Sequence, residues 1–250
     1  MSEEEAPLTS LFPEKQPKVQ PSNSCISYTR PISQEKLSIC LAGKHPLWGH
    51  HLWNGARWLS DHLELNPALV LGKSVLELGA GAALPSLLAV MNGADRAVAS
   101  DYPDTELIDN ITQNAALLGD KERERFVAEG FLWGSSPERL LSLNNGKKYD
   151  LLFLCDLVFN HSEHLKLLQS CLALISPSGR IWCVFSHYRT WLKDRDLAFL
   201  QLASEYFEME LVESKKYDHV IVEDARSDPD EMRTVYAYCL VPRTPICQST

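Results

Sequence analysis

Apolar residues along this chain fall into short runs that alternate with stretches of helical spacing. Five runs have the length and composition of buried strands: residues 73–78, 96–100, 125–131, 149–155 and 179–186. Between them, residues 84–92, 105–119 and 164–175 place apolar side chains three and four positions apart, which predicts helices. Such alternation predicts an α/β fold, a mostly parallel sheet with helices on both faces.

The two ends of the chain depart from this alternation. Residues 208–216 and 233–240 predict two strands joined by an acidic loop, and hence an antiparallel finish to the sheet. Residues 35–41 alternate apolar and polar positions and predict one more short strand. Residues 50–65 and 194–206 predict two further amphipathic helices.

The composition bounds the number of domains. The chain has 250 residues, of which 45% are hydrophobic, enough for one sizeable core but not for two complete domains. Residues 1–24 are polar, acidic and rich in proline, which is typical of a disordered or loosely docked tail. We therefore divide the chain into a partly disordered, acidic, proline-containing extension at residues 1–44 and one enzyme domain at residues 45–250.

Charge and cysteine usage narrow the partners and the compartment. The net charge of −9 argues against nucleic acid as the main partner and makes a cationic partner easier to accommodate. The sequence has no run of about 18 apolar residues and no basic, apolar leader, so we expect no membrane contact and a soluble cytoplasmic protein. The seven cysteines are odd in number and include no Cys-x-x-Cys pair, which predicts free thiols and no zinc ribbon.

The first strand of the predicted sheet ends in a glycine-containing loop, VLELGAGAALPS. Gly79, Ala80 and Gly81 supply the start of a dinucleotide-binding pattern, but Leu84 replaces its third glycine, which weakens the NAD interpretation. Glu77 precedes the loop on an otherwise apolar strand, where a carboxylate is costly unless a positive or donor-rich group meets it. The α-ammonium of S-adenosylmethionine is such a group.

A second carboxylate ends the next strand. Asp101 follows Gly79 by 22 residues and is placed to accept the hydroxyls of a ribose. This spacing does not separate NAD from S-adenosylmethionine, because both ligands carry a ribose. Capping of the helix that follows would explain either Glu77 or Asp101 taken alone.

Later strand ends add candidate residues at the same edge of the sheet. Trp133 offers a ring against which an adenine would lie, although packing alone explains a tryptophan there. Asp156 would accept an N–H from an incoming amine, with capping of the next segment as the alternative. Phe159 and Tyr188 would wall that amine with ring faces that favour a cation, and core packing explains Phe159 nearly as well.

Three histidines near these strand ends raise the question of a metal ion. His161, His164 and His187 are of the ligand type, but His161-x-x-His164 lacks a third ligand at a recognised spacing. We therefore expect no metal site.

Seven stretches of the sequence together resemble the class I, seven-strand S-adenosylmethionine-dependent methyltransferases, and within them the nicotinamide N-methyltransferase-like lysine methyltransferases called family 16. These are HPLWGHHLWNGARWL (45–59), VLELGAGAALPSLLA (75–89), SDYPDTELIDNITQN (100–114), FLWG (131–134), CDLVFNHSEH (155–164), VFSHYR (184–189) and RTVYAYCL (233–240). The resemblance covers roughly residues 45–241. It implies a Rossmann-like seven-stranded methyltransferase sheet, mostly parallel, with an antiparallel closing strand pair.

The resemblance also implies a cofactor, S-adenosylmethionine, and the residues that touch it. Implied cofactor contacts come from Trp53, the backbone of Gly79 to Gly81, Asp101, Trp133 and Cys155. The segment from Asp156 to Phe159 matches the group's D-x-x-F/Y element and is implied to face the methyl-accepting amine. Ala83 departs from the family, which usually has a third glycine there, and its β-carbon would narrow the approach to the methionine end of the cofactor.

Within this group the sequence is most similar to the fungal branch that methylates elongation factor 1-alpha, at its N-terminal α-amine and the adjacent lysine. That similarity implies a protein substrate, and we expect the enzyme to be a monomer. Two other hypotheses stay open: a small-molecule N-methyltransferase of the nicotinamide type, and a cofactor-binding protein without turnover. A small-molecule enzyme would be expected to have a closing lid, and the presence of both Asp101 and Asp156 speaks against a protein without turnover.

Overall fold

The computed structural model describes residues 24–43, 48–218, 220–221 and 225–243. The predicted tail, apart from its last residue, lies outside the described residues. Strands in the described part are β1 (Ser24–Thr29), β2 (Lys36–Leu41), β3 (Ser74–Leu78), β4 (Arg96–Asp101), β5 (Phe126–Gly130), β6 (Tyr149–Cys155), β7 (Ile175–Ser186), β8 (Phe207–Lys216) and β9 (Thr234–Pro242). Helices are α1 (Asn54–Leu65), α2 (Leu84–Met91), α3 (Thr105–Asn114), α4 (Asp120–Arg123), α5 (Glu138–Leu143), α6 (His164–Leu174), α7 (Lys193–Ala203) and α8 (Pro229–Met232).

Seven strands form one sheet in the order β5-β4-β3-β6-β7-β9-β8. Strands β3 to β7 pair in parallel, whereas β9 runs antiparallel to both β7 and β8. The predicted α/β fold with its antiparallel closing pair is confirmed. The chain leaves β3 toward β4 on one side and later returns to β6 on the other, which creates a crevice at the carboxyl ends of these strands.

Each face of the sheet carries its own apolar core. Along β3, Val75 belongs to the core on one face and Leu76 to the core on the other, as alternating side chains of a strand require. Leu87 of α2 packs into the first core and Leu167 of α6 into the second. Burial on both faces explains why the central strands are continuous apolar runs.

Helix α1 begins later than the sequence predicts, at Asn54 and not at residue 50. Trp53 keeps an extended backbone as the N-cap residue. The backbone N–H of Gly55 donates to the Asp156 carboxylate at 2.8 Å, so a group 101 residues away caps the first turn. Because the helix begins only at Asn54, the residues before it lie outside the helix, beside the crevice.

Strands β1 and β2 form a separate hairpin against α3. The strand predicted at residues 35–41 is confirmed as β2, but its partner β1 was not predicted. Leu37 and Ile39 join the core of one sheet face, although the sequence assigns this segment to the N-terminal extension. The amide of Asn114 accepts from the Cys40 N–H at 2.9 Å and donates to the Cys40 carbonyl at 2.8 Å, which fixes the hairpin to α3.

The prediction of free thiols is wrong for two of the cysteines. Cys25 and Cys40 lie directly opposite each other in the hairpin and form a disulfide. No sequence motif marks such a pair, because register alone brings the two residues together. Among the described residues the free cysteines, all buried, are Cys155, Cys171, Cys183 and Cys239, and Cys247 lies outside those residues.

Candidate active site

A cavity of about 460 Å³ lies at the carboxyl ends of β3, β4 and β6, the crevice that the strand order creates. Its volume falls in the range of small-molecule and cofactor sites. Ten of the predicted site residues line it: Trp53, Glu77, Gly79, Ala80, Gly81, Asp101, Trp133, Cys155, Asp156 and Phe159. Tyr188 is not among the lining residues.

The glycine loop needs both of its glycines, for different reasons. Gly79 and Gly81 have φ values of +64° and +55°, a region that costs other residues free energy. A β-carbon on Gly79 would also lie 2.5 Å from Leu157. A β-carbon on Gly81 would meet no atom within 4 Å, and since Gly81 lines the cavity, its open side is available to a ligand.

The expectation that the β-carbon of Ala83 narrows the cofactor approach is not met. Ala83 is fully buried in the core, and its neighbour Ala82 lines the cavity instead. The departure from glycine has a backbone effect, because Ala83 has a φ of +59° at the start of α2. The left-handed region costs an alanine about 1–2 kcal/mol.

Glu77 is buried and bonds to the first turn of α2. Its Oε2 accepts from the Ser86 N–H at 3.0 Å and from the Ser86 hydroxyl at 2.6 Å. Burial raises the pKa of Glu77 to about 8, and the two hydrogen bonds only partly oppose that rise. The helix-capping contact, which was the alternative explanation for Glu77, is therefore present. The Glu77 side chain also lines the cavity.

Asp101 holds the glycine loop and does not cap α3. Its Oδ2 accepts from the Gly81 N–H and its Oδ1 from the Tyr102 N–H, both at 2.7 Å. The cap of α3 is Asp104, whose side chain accepts from the Glu106 N–H at 2.9 Å. The capping alternative is therefore wrong for Asp101, which also lines the cavity.

Asp156 is a buried carboxylate at the cavity wall. Its Oδ2 accepts from Gly55, and its Oδ1 accepts from the Ser186 N–H at 3.1 Å and the Tyr188 hydroxyl at 3.0 Å. Burial raises the pKa of Asp156 to about 7 against these three hydrogen bonds. Asp156 does cap a helix, but that helix is α1. The sequence alternative had assigned the cap to the segment that follows Asp156.

Aromatic rings form one side of the cavity. Trp53 and Phe159 both line it, with ring centroids 6.0 Å apart. Tyr188 packs edge-on against Trp53 at 4.6 Å and bonds to Asp156, so it stands behind the wall and not in it. Burial raises the pKa of the Cys155 thiol, so this part of the wall is neutral.

The sequence analysis missed several residues around the mouth of the cavity. These are Trp48, His51, Tyr102, Leu132, Asn160, Ser162 and Glu163. Five of them adjoin predicted site residues or lie within the stretch 45–59, and Ser162 and Glu163 lie within the stretch 155–164, so position beside a strand end was the available signal. The wall carries four carboxylates, Glu77, Asp101, Asp156 and Glu163, and no lysine or arginine among the described residues.

A metal site is a separate question. Within the ranges the structure describes, no group of three or more His, Cys, Asp or Glu side chains is arranged to hold a metal ion. Over the same ranges, no helix has the length and apolar character needed to cross a membrane.

Sequence comparison identifies relatives over nearly the whole chain. A family model described as lysine methyltransferase matches residues 32–206. The protein N-terminal and lysine N-methyltransferase EFM7 of Eremothecium gossypii is 41% identical over 245 residues, covering 94% of this chain and 89% of that protein. The protein of the same name from Schizosaccharomyces pombe is 37% identical and covers 86% of each chain.

Solved structures of low identity share the fold. A proposed S-adenosylmethionine-dependent methyltransferase from Streptococcus mutans superposes with a TM-score of 0.58 at 12% identity, over 89% of this chain and 57% of that one. This chain thus spans somewhat over half the length of that protein. The glycopeptide N-methyltransferase MtfA, complexed with S-adenosylmethionine, gives 0.52 at 10% identity, over 76% of this chain and 95% of that one. The fold is a Rossmann-like methyltransferase fold, as predicted.

Proposed function

The chain belongs to the lysine methyltransferase family, and on that premise we propose that it is an S-adenosylmethionine-dependent protein N-terminal and lysine N-methyltransferase acting on translation elongation factor 1-alpha. The proposed acceptors are the N-terminal α-amine of that factor and the adjacent lysine. The names of the relatives support protein amines as acceptors. The resemblance to the fungal branch supports the elongation factor as the substrate, and we further propose a cytoplasmic, monomeric enzyme.

The charge of the cavity carries the proposal. Four acidic side chains and no lysine or arginine line it among the described residues. Burial raises the pKa of Glu77 and of Asp156, and a cation bound beside them would favour their ionised form. S-adenosylmethionine has a sulfonium and an α-ammonium, and a lysine or α-amine arrives as a cation, so each is attracted to this wall. A dinucleotide would instead bring a pyrophosphate beside these carboxylates, which disfavours NAD.

The residues at the glycine loop fit the cofactor. Asp101 lies where a ribose would bind, and the open side of Gly81 lets the backbone approach a ligand. Glu77 adds a buried carboxylate for the α-ammonium. Trp53, Trp133 and Cys155 complete the wall. When bound, the cofactor supplies a methyl group already activated by the sulfonium sulfur.

The amine side of the cavity orients the acceptor nitrogen. Three hydrogen bonds hold the Asp156 carboxylate in place, so it can accept an N–H and direct the lone pair. Trp53 and Phe159 line the cavity beside it, and aromatic rings there would attract a cation. Tyr102 and Leu132, 47% and 49% exposed, lie at the rim, where an apolar surface suits a protein substrate.

The test uses methyl-labelled S-adenosylmethionine. The protein is incubated with elongation factor 1-alpha, with a peptide of its N-terminus, and with nicotinamide, and the label is located in each. We expect label in the factor and the peptide and none in nicotinamide. Label in nicotinamide alone would favour the small-molecule enzyme, and cofactor binding without any label would favour a protein without turnover.

A further inference from the structure

Asp196 is a buried carboxylate that joins two separate parts of the chain. Nε2 of His161 lies 2.6 Å from its Oδ1, and Nδ1 of His187 lies 2.7 Å from its Oδ2. Only 3% of the Asp196 side chain and 1% of the His187 side chain are exposed. None of the three residues lines the cavity, so this His161–Asp196–His187 bridge has no contact of its own with a bound ligand.

One end of the bridge holds the segment that forms the aromatic wall. His161 follows Phe159 by two residues, between Asn160 and Ser162, and all three of those neighbours line the cavity. The next turn adds a second anchor, because Nε2 of His164 donates to the Val158 carbonyl at 2.6 Å.

The other end of the bridge holds the donors to Asp156. His187 lies between Ser186 and Tyr188, and both of these donate to Oδ1 of Asp156. A shift of His187 would therefore move two of the three groups that hold the Asp156 carboxylate. The bridge thus links the ring wall to the carboxylate, the two halves of the amine site.

The free energy cost of Asp196 argues for a role beyond packing. A buried carboxylate is costly unless hydrogen bonds compensate it, and an apolar side chain would fill the same space on α7 more cheaply. Its two oxygens each fix a different segment, which an apolar side chain does not do. We propose that Asp196 is a positioning residue for methyl transfer. Through His161 and His187 it fixes the position of residues 157–163, which carry the aromatic wall, relative to residues 184–190.

This inference rests on the proposed function, so its first test needs no substrate. Hydrogen–deuterium exchange of the full-length protein is followed by mass spectrometry over residues 157–163 and 184–190. Asp196→Asn and the milder His161→Phe are expected to speed exchange in both segments together, by about 2- to 10-fold for the loss of one such hydrogen bond. Asp150→Asn is the matched control, because Asp150 bonds to Ser74 at the opposite end of the sheet and both segments should then exchange as in the wild type.

The second test measures turnover of the elongation factor peptide. Asp196→Asn and His161→Phe are expected to lower kcat by about 10- to 100-fold, the effect of a small misplacement of reacting groups, with unchanged affinity for S-adenosylmethionine. Unchanged exchange in either segment, or an equal fall in kcat and cofactor affinity, would overturn the proposal. If the wild type transfers no methyl group, the proposed function fails, and the exchange result alone decides whether the bridge exists.

Discussion

At the residue scale, Asp101 and Asp104 are two nearby acids with separable tasks. Asp101→Ala is expected to weaken cofactor binding by about 1.5–3 kcal/mol, because it removes the proposed charged hydrogen bonds to the ribose and also the contact that orders Gly81. Asp104→Ala removes the cap of α3 and is expected to cost about 0.5–2 kcal/mol of unfolding free energy without changing cofactor affinity. Calorimetric titration of both variants checks this. Equal affinity of Asp101→Ala and the wild type would remove the ribose assignment.

Glu77 and Asp156 predict a specific dependence of stability on pH. Burial raises their pKa values to about 8 and about 7, so between their ordinary values and these the folded state holds more protons than the unfolded state. The free energy of unfolding from these groups therefore falls as pH rises from about 5 to about 8. Glu77→Gln keeps a polar group but cannot ionise, so its melting temperature should change less than that of the wild type over this range. If the melting temperatures of the two proteins changed equally with pH, that result would contradict the buried, proton-binding state of Glu77.

At the element scale, variants of the glycine loop distinguish the effect of backbone strain from the effect of ligand access. Gly81→Ala should lower stability by about 1–2 kcal/mol, because residue 81 has a φ of +55°. Its methyl group would lie where no protein atom is within 4 Å but where the cavity opens, so the change should also weaken cofactor binding. Ala83→Gly is the control, because residue 83 faces the core and its change should leave cofactor affinity intact. Cofactor dissociation constants and melting temperatures of both variants test this. Stronger cofactor binding by Ala83→Gly would restore the idea that its β-carbon narrows the site.

The hairpin of β1 and β2 depends on Asn114 as well as on its disulfide. Asn114→Ala removes both hydrogen bonds to Cys40 and a third to the Ala82 carbonyl, and a loss of about 1.5–4.5 kcal/mol of unfolding free energy is expected at about 0.5–1.5 kcal/mol per bond. The same loss should appear in a Cys25→Ser background, where no disulfide forms. Denaturant unfolding of the single and double variants measures it. An effect of Asn114→Ala that vanishes without the disulfide would show that Asn114 acts only through it.

Local pattern predicted most elements, and long-range contacts explain what it missed. β3 and β6 are apolar runs because both of their faces are buried, and Asp101 and Asp156 were found because each ends such a strand. The start of α1 depends on Asp156, 101 residues away, so no local signal places it. The disulfide partner of Cys25 and the bridge at Asp196 likewise follow from register and packing between distant segments.

At the scale of the whole molecule, the edge of the sheet brings the residues proposed for the cofactor and those proposed for the amine to one cavity. Asp101 and Glu77 come from β4 and β3. Asp156 follows β6 and is held from α1, from the last residue of β7 and from Tyr188 just after it. The strand order thus places the residues proposed for the cofactor beside those proposed for the acceptor amine, at the carboxyl ends of neighbouring strands.

The two proposed acceptors should respond differently to pH. An α-amine titrates at about 7.7–8.0 and a lysine at about 10.4, so at neutral pH a far larger share of the α-amine is already nucleophilic. Methylation of the α-amine should therefore level off near about pH 8, while lysine methylation should keep rising above it unless burial lowers the pKa of the bound lysine. Initial rates at each nitrogen across this range, read by mass spectrometry, check the expectation. A common pH profile for both nitrogens would mean that the amine's own ionisation does not limit transfer.

The most direct test of the account is site-resolved mass spectrometry of the elongation factor 1-alpha N-terminal peptide after incubation with S-adenosylmethionine. The account predicts methyl groups on the α-nitrogen and on the adjacent lysine with the wild type. With Asp156→Asn it predicts greatly reduced transfer while cofactor affinity stays unchanged. An acetylated peptide should lose the first modification and much of the second. Full-rate methylation of internal lysines in the acetylated peptide, or full activity of Asp156→Asn, would contradict the assignment of this cavity to the N-terminal amine.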